Sequence, residues 1–201
     1  MGLAETQSNH EPLKTEDEIQ NLWQPHKMNS VMLDLETMST SANAAIVAIG
    51  AVRFNSDNGV TSYFYEVVDL ESAVAAGLEM SASTVLWWLA QSDSARKELC
   101  RKGDQLNHVL GQFKNWLGKD AEVWGNGSDF DNVILSNAYN KYSWRQPWPY
   151  ANNRCYRTIK NLRPDIKIVR TGTHHNALDD AISQTDHLLR ITQCDQLRSS
   201  K

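Results

Sequence analysis

The chain has 201 residues, 41% of them hydrophobic with seven Trp among them, and a formal net charge of −4. That size and apolar content suit one globular domain with its own core. No run approaches the roughly 20 apolar residues of a membrane span, and the acidic, polar N-terminus lacks a basic-then-apolar leader, so a cytoplasmic protein is expected. Cys100, Cys155 and Cys194 are far apart and without CxxC spacing. They read as reduced thiols rather than a disulfide frame or a structural zinc site.

Residues 1–27 are rich in Glu, Gln, Asn and His, with one short candidate helix over Thr15 to Trp23, and read as a flexible extension. The core is expected to begin at Met28 and run to residue 193, leaving 194–201 as a tail. Val31 to Glu36, Ile46 to Phe54 and Thr61 to Val68 are β-branched and aromatic, separated by polar turn residues. They predict three strands joined by hairpins. Helical spacing follows through Ser83 to Cys100 and again through Gln105 to Leu117, where Leu106, Val109, Leu110, Phe113 and Leu117 share a face. Ala121 to Trp124 predicts a short strand, Phe130 to Tyr142 a helix, and Asn176 opens a last helix with Leu178, Ala181, Ile182, Thr185, Leu188 and Leu189 on one side. The order βββααβα with a final α predicts an α/β layered fold with a mixed sheet whose first three strands are antiparallel.

Three separated segments carry acids where strands end or helices begin. Alternate side chains of a strand face the same way, so Asp34 and Glu36 project together while Leu33 and Leu35 pack on the opposite side. Oxygen ligands of this kind suit Mg²⁺ or Mn²⁺, although an acidic pair at a strand end is commonly just solvated. The second segment, Trp124-Gly-Asn-Gly-Ser-Asp-Phe-Asp131, places a carboxylate at a helix N-terminus. Residues two apart on a helix differ by roughly 200° in direction, so Asp129 and Asp131 cannot serve one site. Asp131 is preferred, with helix capping as the ordinary role for either. In the third segment Asn176 is the predicted N-cap, with His175 before it and Asp180 at the fourth helical position, the pair that a hydrophobic staple brings into contact. His174 with Asp179 has the same five-residue offset and competes with this assignment.

Asp34-Leu-Glu36, Asn126-Gly-Ser-Asp-Phe130-Asp131 and His175-Asn-Ala-Leu-Asp-Asp180 together resemble the three exonuclease motifs of the DEDDh 3′-5′ exonuclease superfamily, over roughly Met28 to Gln193. The Trp87-Trp88 pair and the Trp-Gly-Asn-Gly run are most similar to its small phage and bacterial exoribonuclease-like branch. The resemblance implies an RNase H-like fold and hydrolysis of single-stranded RNA or DNA from the 3′ end, RNA before DNA, to nucleoside 5′-monophosphates. It implies two Mg²⁺ ions at a separation of roughly 4 Å, with Mn²⁺ as a substitute. Asp34, Glu36 and Asp180 would bind one ion, Asp34 would serve the second with support from Asp131, and His175 would activate water. Thr37 and Met38 resemble residues that touch the terminal nucleotide, although a Met at a strand end is most often core packing. A homodimer is the candidate assembly, as in relatives.

The net negative charge is compatible with a nucleic-acid substrate, because without the four motif carboxylates the remainder of the chain is neutral. Arg154, Arg157, Lys160, Arg163, Lys167 and Arg170 recur every three or four residues before His175 and offer a path for a phosphate backbone; Pro164 prevents them from sharing one helix. Trp87 or Trp88 could stack on a base. The runner-up reading is a catalytically silent nucleic-acid-binding or assembly module with the same fold. An endonuclease on the same metals would differ in cutting circular substrates.

Overall fold

A computed structural model describes residues 29–55, 58–127 and 129–199, with side chains described through Cys194. The extension expected over residues 1–27 lies outside the described residues. Three strands open the fold: β1 (Ser30–Thr37), β2 (Ile46–Asn55) and β3 (Gly59–Val67). Four helices follow, α1 (Leu70–Ala75), α2 (Ala82–Leu89), α3 (Asp93–Leu99) and α4 (Leu106–Leu117). Then come β4 (Glu122–Gly125), α5 (Asp131–Lys141), a 3₁₀ turn at Tyr150–Asn152, β5 (Asn153–Cys155), α6 (Tyr156–Leu162) and α7 (Ala177–Ser199). The sheet order is β3-β2-β1-β4-β5, with β1–β2 and β2–β3 antiparallel and the β4 and β5 pairings parallel.

The mixed sheet and its three antiparallel strands are as the sequence predicts, while the connecting helices differ. The stretch from Ser83 to Cys100 is two helices. Ala90 closes α2, and the Ser92 side chain accepts from the Ala95 amide to start α3 with Asp93 in its first turn. A Ser-Asp pair is a strong start signal that outweighs the apolar period. Helix α1, absent from the predicted order, is capped in the same way by Asp69 accepting from Ser72. Strand β5 and helix α6 are also additions. Three residues are too few to show alternation, so β5 exists only through its pairing with β4. Helix α7 runs through Ser199, over residues assigned to a tail by sequence. Among the described residues no helix is long and apolar enough to cross a membrane.

Strand β1 lies at the centre of the sheet and separates two apolar layers. Val31, Leu33 and Leu35 face the larger one, with Ile49, Phe64, Leu110, Phe113 and Leu135. Met32 faces the smaller one, with Val52, Trp124, Tyr156, Ala181 and Leu188. By strand alternation, Asp34 and Glu36 continue the Met32 face, so this face passes from apolar to acidic along one strand.

Helix α7 covers that face, packing on β1, β2 and β3. Gly50 pairs with Asp34 in the ladder, and a Cβ at Gly50 would stand 2.2 Å from the Ala177 carbonyl carbon and 2.3 Å from the Leu178 amide. Only a residue without a side chain lets the first turn of α7 sit directly on the sheet. Gly50→Ala should therefore destabilise the protein by about 3 kcal/mol, read as a thermal midpoint lowered by several degrees. Gly111→Ala on α4, where a Cβ would meet open space, should leave the midpoint unchanged or raise it. Equal midpoints for Gly50→Ala and the parent would show that the contact does not constrain α7.

Candidate active site

Strand β1, the start of α5 and the first turn of α7 bring the predicted acids together. Carboxylate oxygens of Asp34, Glu36 and Asp180 lie within 4.8 Å of one another. Asp131, the first residue of α5, is 2% exposed and is held from two sides. Its Oδ1 accepts from the Leu35 amide at 3.1 Å and its Oδ2 from the Asn126 amide at 2.9 Å. Those bonds tie the strand carrying Asp34 to the turn after β4. Asp129 is exposed, so of the two acids in this segment Asp131 is the one turned inward.

Carboxylates gathered in a poorly hydrated place repel one another, and the proton affinities of Asp34, Glu36 and Asp131 rise. Asp34 is pushed well above the usual carboxylate range by burial, then by the charges of Asp131, Glu36 and Asp180. Glu36 is raised to about 8 by burial, Asp180 and Asp131. Asp131 is raised to about 6 by burial, opposed by hydrogen bonds from the backbone amides of Asn126, Leu35 and Asp131 itself and by the charge of Arg157. Two neighbours oppose the repulsion by direct contact. Arg170 Nη1 donates to Asp180 Oδ1 at 2.5 Å. Gln184, one helical turn beyond Asp180, donates through Nε2 to Asp34 Oδ1 at 2.7 Å. Gln184 is the site residue that the sequence reading missed; its signal was the four-residue step from Asp180 along an inward face.

The cap of α7 forms as predicted. Asn176 Oδ1 accepts from the amides of Leu178 and Asp179, each at 3.1 Å. His175 takes a left-handed backbone conformation, φ 66°, and its amide donates to Asp180 Oδ2 at 3.0 Å. The five-residue offset thus joins His175 and Asp180 through the main chain, without using the ring nitrogens of the imidazole. That ring meets Trp87 edge-on at 4.8 Å and Trp88 at 5.9 Å, with His174 tilted over it at 3.8 Å. Burial, His174 and Arg170 lower the His175 pKa against the opposing charge of Asp180. Asp179 turns away and accepts from the Thr173 amide at 2.7 Å. Both His174 and His175 present a ring nitrogen within 4.8 Å of Asp180, but His174 is the exposed one.

Beside Glu36 lies a pocket of about 370 Å³, walled by Thr37, Thr40, Thr84, Trp87, Trp88 and Phe130 among others. Trp88 is 3% exposed and its Nε1 donates to the Thr37 carbonyl at 3.0 Å, so it anchors the end of β1. Trp87 is 44% exposed and presents its ring to both the pocket and His175. Thr37 lines the pocket, with its hydroxyl engaged by the Ser39 carbonyl at 2.7 Å. Met38 does not line it; the side chain is 7% exposed and packs in the larger core.

The donor set fits a divalent cation. Three carboxylates share one small volume, all are hard oxygen donors, and their mutual repulsion needs a positive charge that Arg170 supplies to only one oxygen.

A family model for the 3′-5′ exoribonuclease Rv2179c-like domain matches residues 29–192. The chain belongs to this family. The exodeoxyribonuclease of Enterobacteria phage T4 is 27% identical to the Rv2179c-like chain over 124 residues, 54% of each protein, so the domain spans about half the length of that relative. Among solved structures, E. coli Exonuclease I in complex with a dT13 oligonucleotide superposes with a TM-score of 0.63 at 14% identity, over 87% of this chain and 43% of that one. The nuclease domain of 3′hExo, a DEDDh family member bound to rAMP, gives 0.55 at 15% identity, over 82% and 91%. These likenesses assign the Rv2179c-like domain the RNase H-like architecture of the DEDDh nucleases.

The raised carboxylates have a consequence for the metal-free protein. A carboxyl whose folded pKa exceeds its unfolded value favours folding fully only below the unfolded value, and that contribution is lost as pH rises to the folded one. With Glu36 at about 8 and Asp131 at about 6, the melting temperature of chelated protein should fall between about pH 4 and 8. Asp34→Asn should raise it at pH 8, and Mg²⁺ or Mn²⁺ should raise the parent more than the variant. A chelated parent whose midpoint does not change over this range would show that the acids do not repel as described.

Proposed function

We propose that this domain, residues 28–193, is a metal-dependent 3′-5′ exonuclease that releases nucleoside 5′-monophosphates from single-stranded ends, with RNA preferred to DNA. The observation that carries the reading is the meeting of Asp34, Glu36 and Asp180 from separate segments, with Asp131 behind them and a half-buried imidazole at their edge. The family model, named for exoribonucleases, supports the preference for RNA; the phage relative is named for DNA.

In this reading Asp34, Glu36 and Asp180 hold Mg²⁺, and Asp131 supports a second ion beside Asp34. When bound, the metals supply positive charge to the scissile phosphate and acidify the attacking water. His175 accepts the proton of that water at a ring nitrogen, and its lowered pKa keeps it neutral and able to do so. Asp180 fixes the position of His175 through the backbone amide, while Gln184 orients Asp34. The pocket beside Glu36 receives the terminal nucleotide, with Thr37 and Trp87 at its wall.

The test is a 5′-labelled single strand incubated with Mg²⁺. The parent protein should give a ladder shortening from the 3′ end, and chelation or Asp34→Ala should abolish it. His175→Ala should lower kcat by roughly 10²–10⁴ while metal titration remains near that of the parent, and Asp180→Ala should lose both. Binding without turnover in the parent would favour the silent module instead. Equal degradation by the parent and Asp34→Ala would exclude this site as the catalyst.

A further inference from the structure

The structure divides the six basic residues before His175 into two groups. Arg154 is engaged by Glu122 at 2.5 Å across β4 and β5, and Arg163 by Asp165 at 2.9 Å. Arg157 and Lys160 on α6, and Lys167 and Arg170 on the segment that leads to His175, form the second group. Among the described residues, Arg157, Lys160 and Lys167 have no carboxylate at ion-pair distance, nor does Arg190 of α7.

These cations are neighbours in space. The Lys160 pKa is lowered by burial and then by the charges of Arg157 and Arg170. Its ammonium stands 5.5 Å from the Tyr156 ring centroid, and Tyr156 in turn feels Arg170 and Arg190. Lys160 and Lys167 line one groove of about 270 Å³ with Pro164, Ile166 and His187. The groove wall is fixed from behind: the Tyr156 hydroxyl and His187 Nδ1 are 2.6 Å apart, and His187 Nε2 donates to the Ile166 carbonyl at 2.8 Å. The group also adjoins the acids, since Arg157 Nη2 donates to the Asn126 carbonyl, next to the amide that binds Asp131, and Arg170 donates to Asp180. Like charges gathered around one half-buried member, Lys160, with Arg157, Lys167 and Arg170 exposed beside it, in a chain of net charge −4, call for an anion. Asn161 and Ile168 complete the lining, and its one ring, His187, is held by two hydrogen bonds, so the groove offers no free ring for base stacking.

We infer that the α6 lip, with Lys160 and Lys167 at its centre and Arg157 at its edge, binds the phosphate backbone of the single strand on the 5′ side of the bond being cut. The lip reads charge and not sequence. This inference rests on the exonuclease reading and adds the route of the strand. The 3′ nucleotide enters beside Trp87, and the preceding phosphates leave across α6.

The test compares the parent with the double variant Lys160→Gln/Lys167→Gln on two probes, a dinucleotide and an oligouridylate of about a dozen nucleotides. The KM for the oligomer should rise several-fold while dinucleotide kcat/KM stays at the parent value. Oligomer binding measured between about 50 and 200 mM salt should lose about 0.7 from its log–log slope per lysine removed. Lys160→Arg/Lys167→Arg should restore both. Unchanged oligomer KM and salt slope would overturn the inference, and so would an equal loss on the dinucleotide. If the parent hydrolyses neither probe, the exonuclease reading fails, and the salt titration alone still decides whether the lip binds the strand.

Discussion

The site depends on the seating of one helix end on one strand pair. Helix α7 reaches the sheet at Gly50, where its backbone occupies the space of a side chain, and Gly50 is the ladder partner of Asp34. Asp180 is three residues into α7 from that contact. The distance between Asp34 and Asp180 is therefore set by backbone packing, and the repulsion between their carboxylates opposes it. The apolar contacts of Met32, Val52, Ala181 and Leu188 on the same face hold the helix down against that repulsion.

A cluster held together against its own charge needs local compensation, and the fold supplies it from three directions. Two backbone amides hold Asp131. The His175 amide, aimed by a left-handed turn, and the Arg170 guanidinium hold the two oxygens of Asp180. Gln184 holds Asp34. Glu36, at the pocket wall, has no such donor among the described residues, and burial with its acidic neighbours raises it to about 8. A metal ion suits this set because it compensates several oxygens at once, which single hydrogen bonds do not.

The two sides of the acid cluster differ in kind. One is an aromatic pocket where Trp88 braces the end of β1 and Trp87 stands between the cavity and His175. The other is a basic lip formed by α6 and the segment after it, where Arg157, Lys160 and Lys167 have no carboxylate at ion-pair distance among the described residues. The proposed substrate, a strand end with one terminal nucleoside and a train of phosphates, matches that asymmetry. Membership in the Rv2179c-like family and the shared architecture with Exonuclease I and 3′hExo place the carboxylate site in a known fold. The lip is a feature of this chain's own residues.

Much was legible in the chain alone because it is written in local chemistry. Alternation in β1 puts Asp34 and Glu36 on one face whatever surrounds them, and the Asn176 cap fixes the spacing of His175 and Asp180 through hydrogen bonds within one turn. The break between α2 and α3 was legible too in Ser92 and Asp93, but the apolar period obscured it. What only the tertiary structure decided involves partners distant in sequence. Gln184 meets Asp34 across 150 positions, and β5 is a strand only because β4 lies beside it. Met38 turns into the core while Thr37 turns to the pocket, and Glu122, 32 positions away, takes Arg154 out of the basic run. Sequence period gives the direction of a side chain relative to its own element. Which charges it meets there depends on how the elements pack, and no local pattern encodes that.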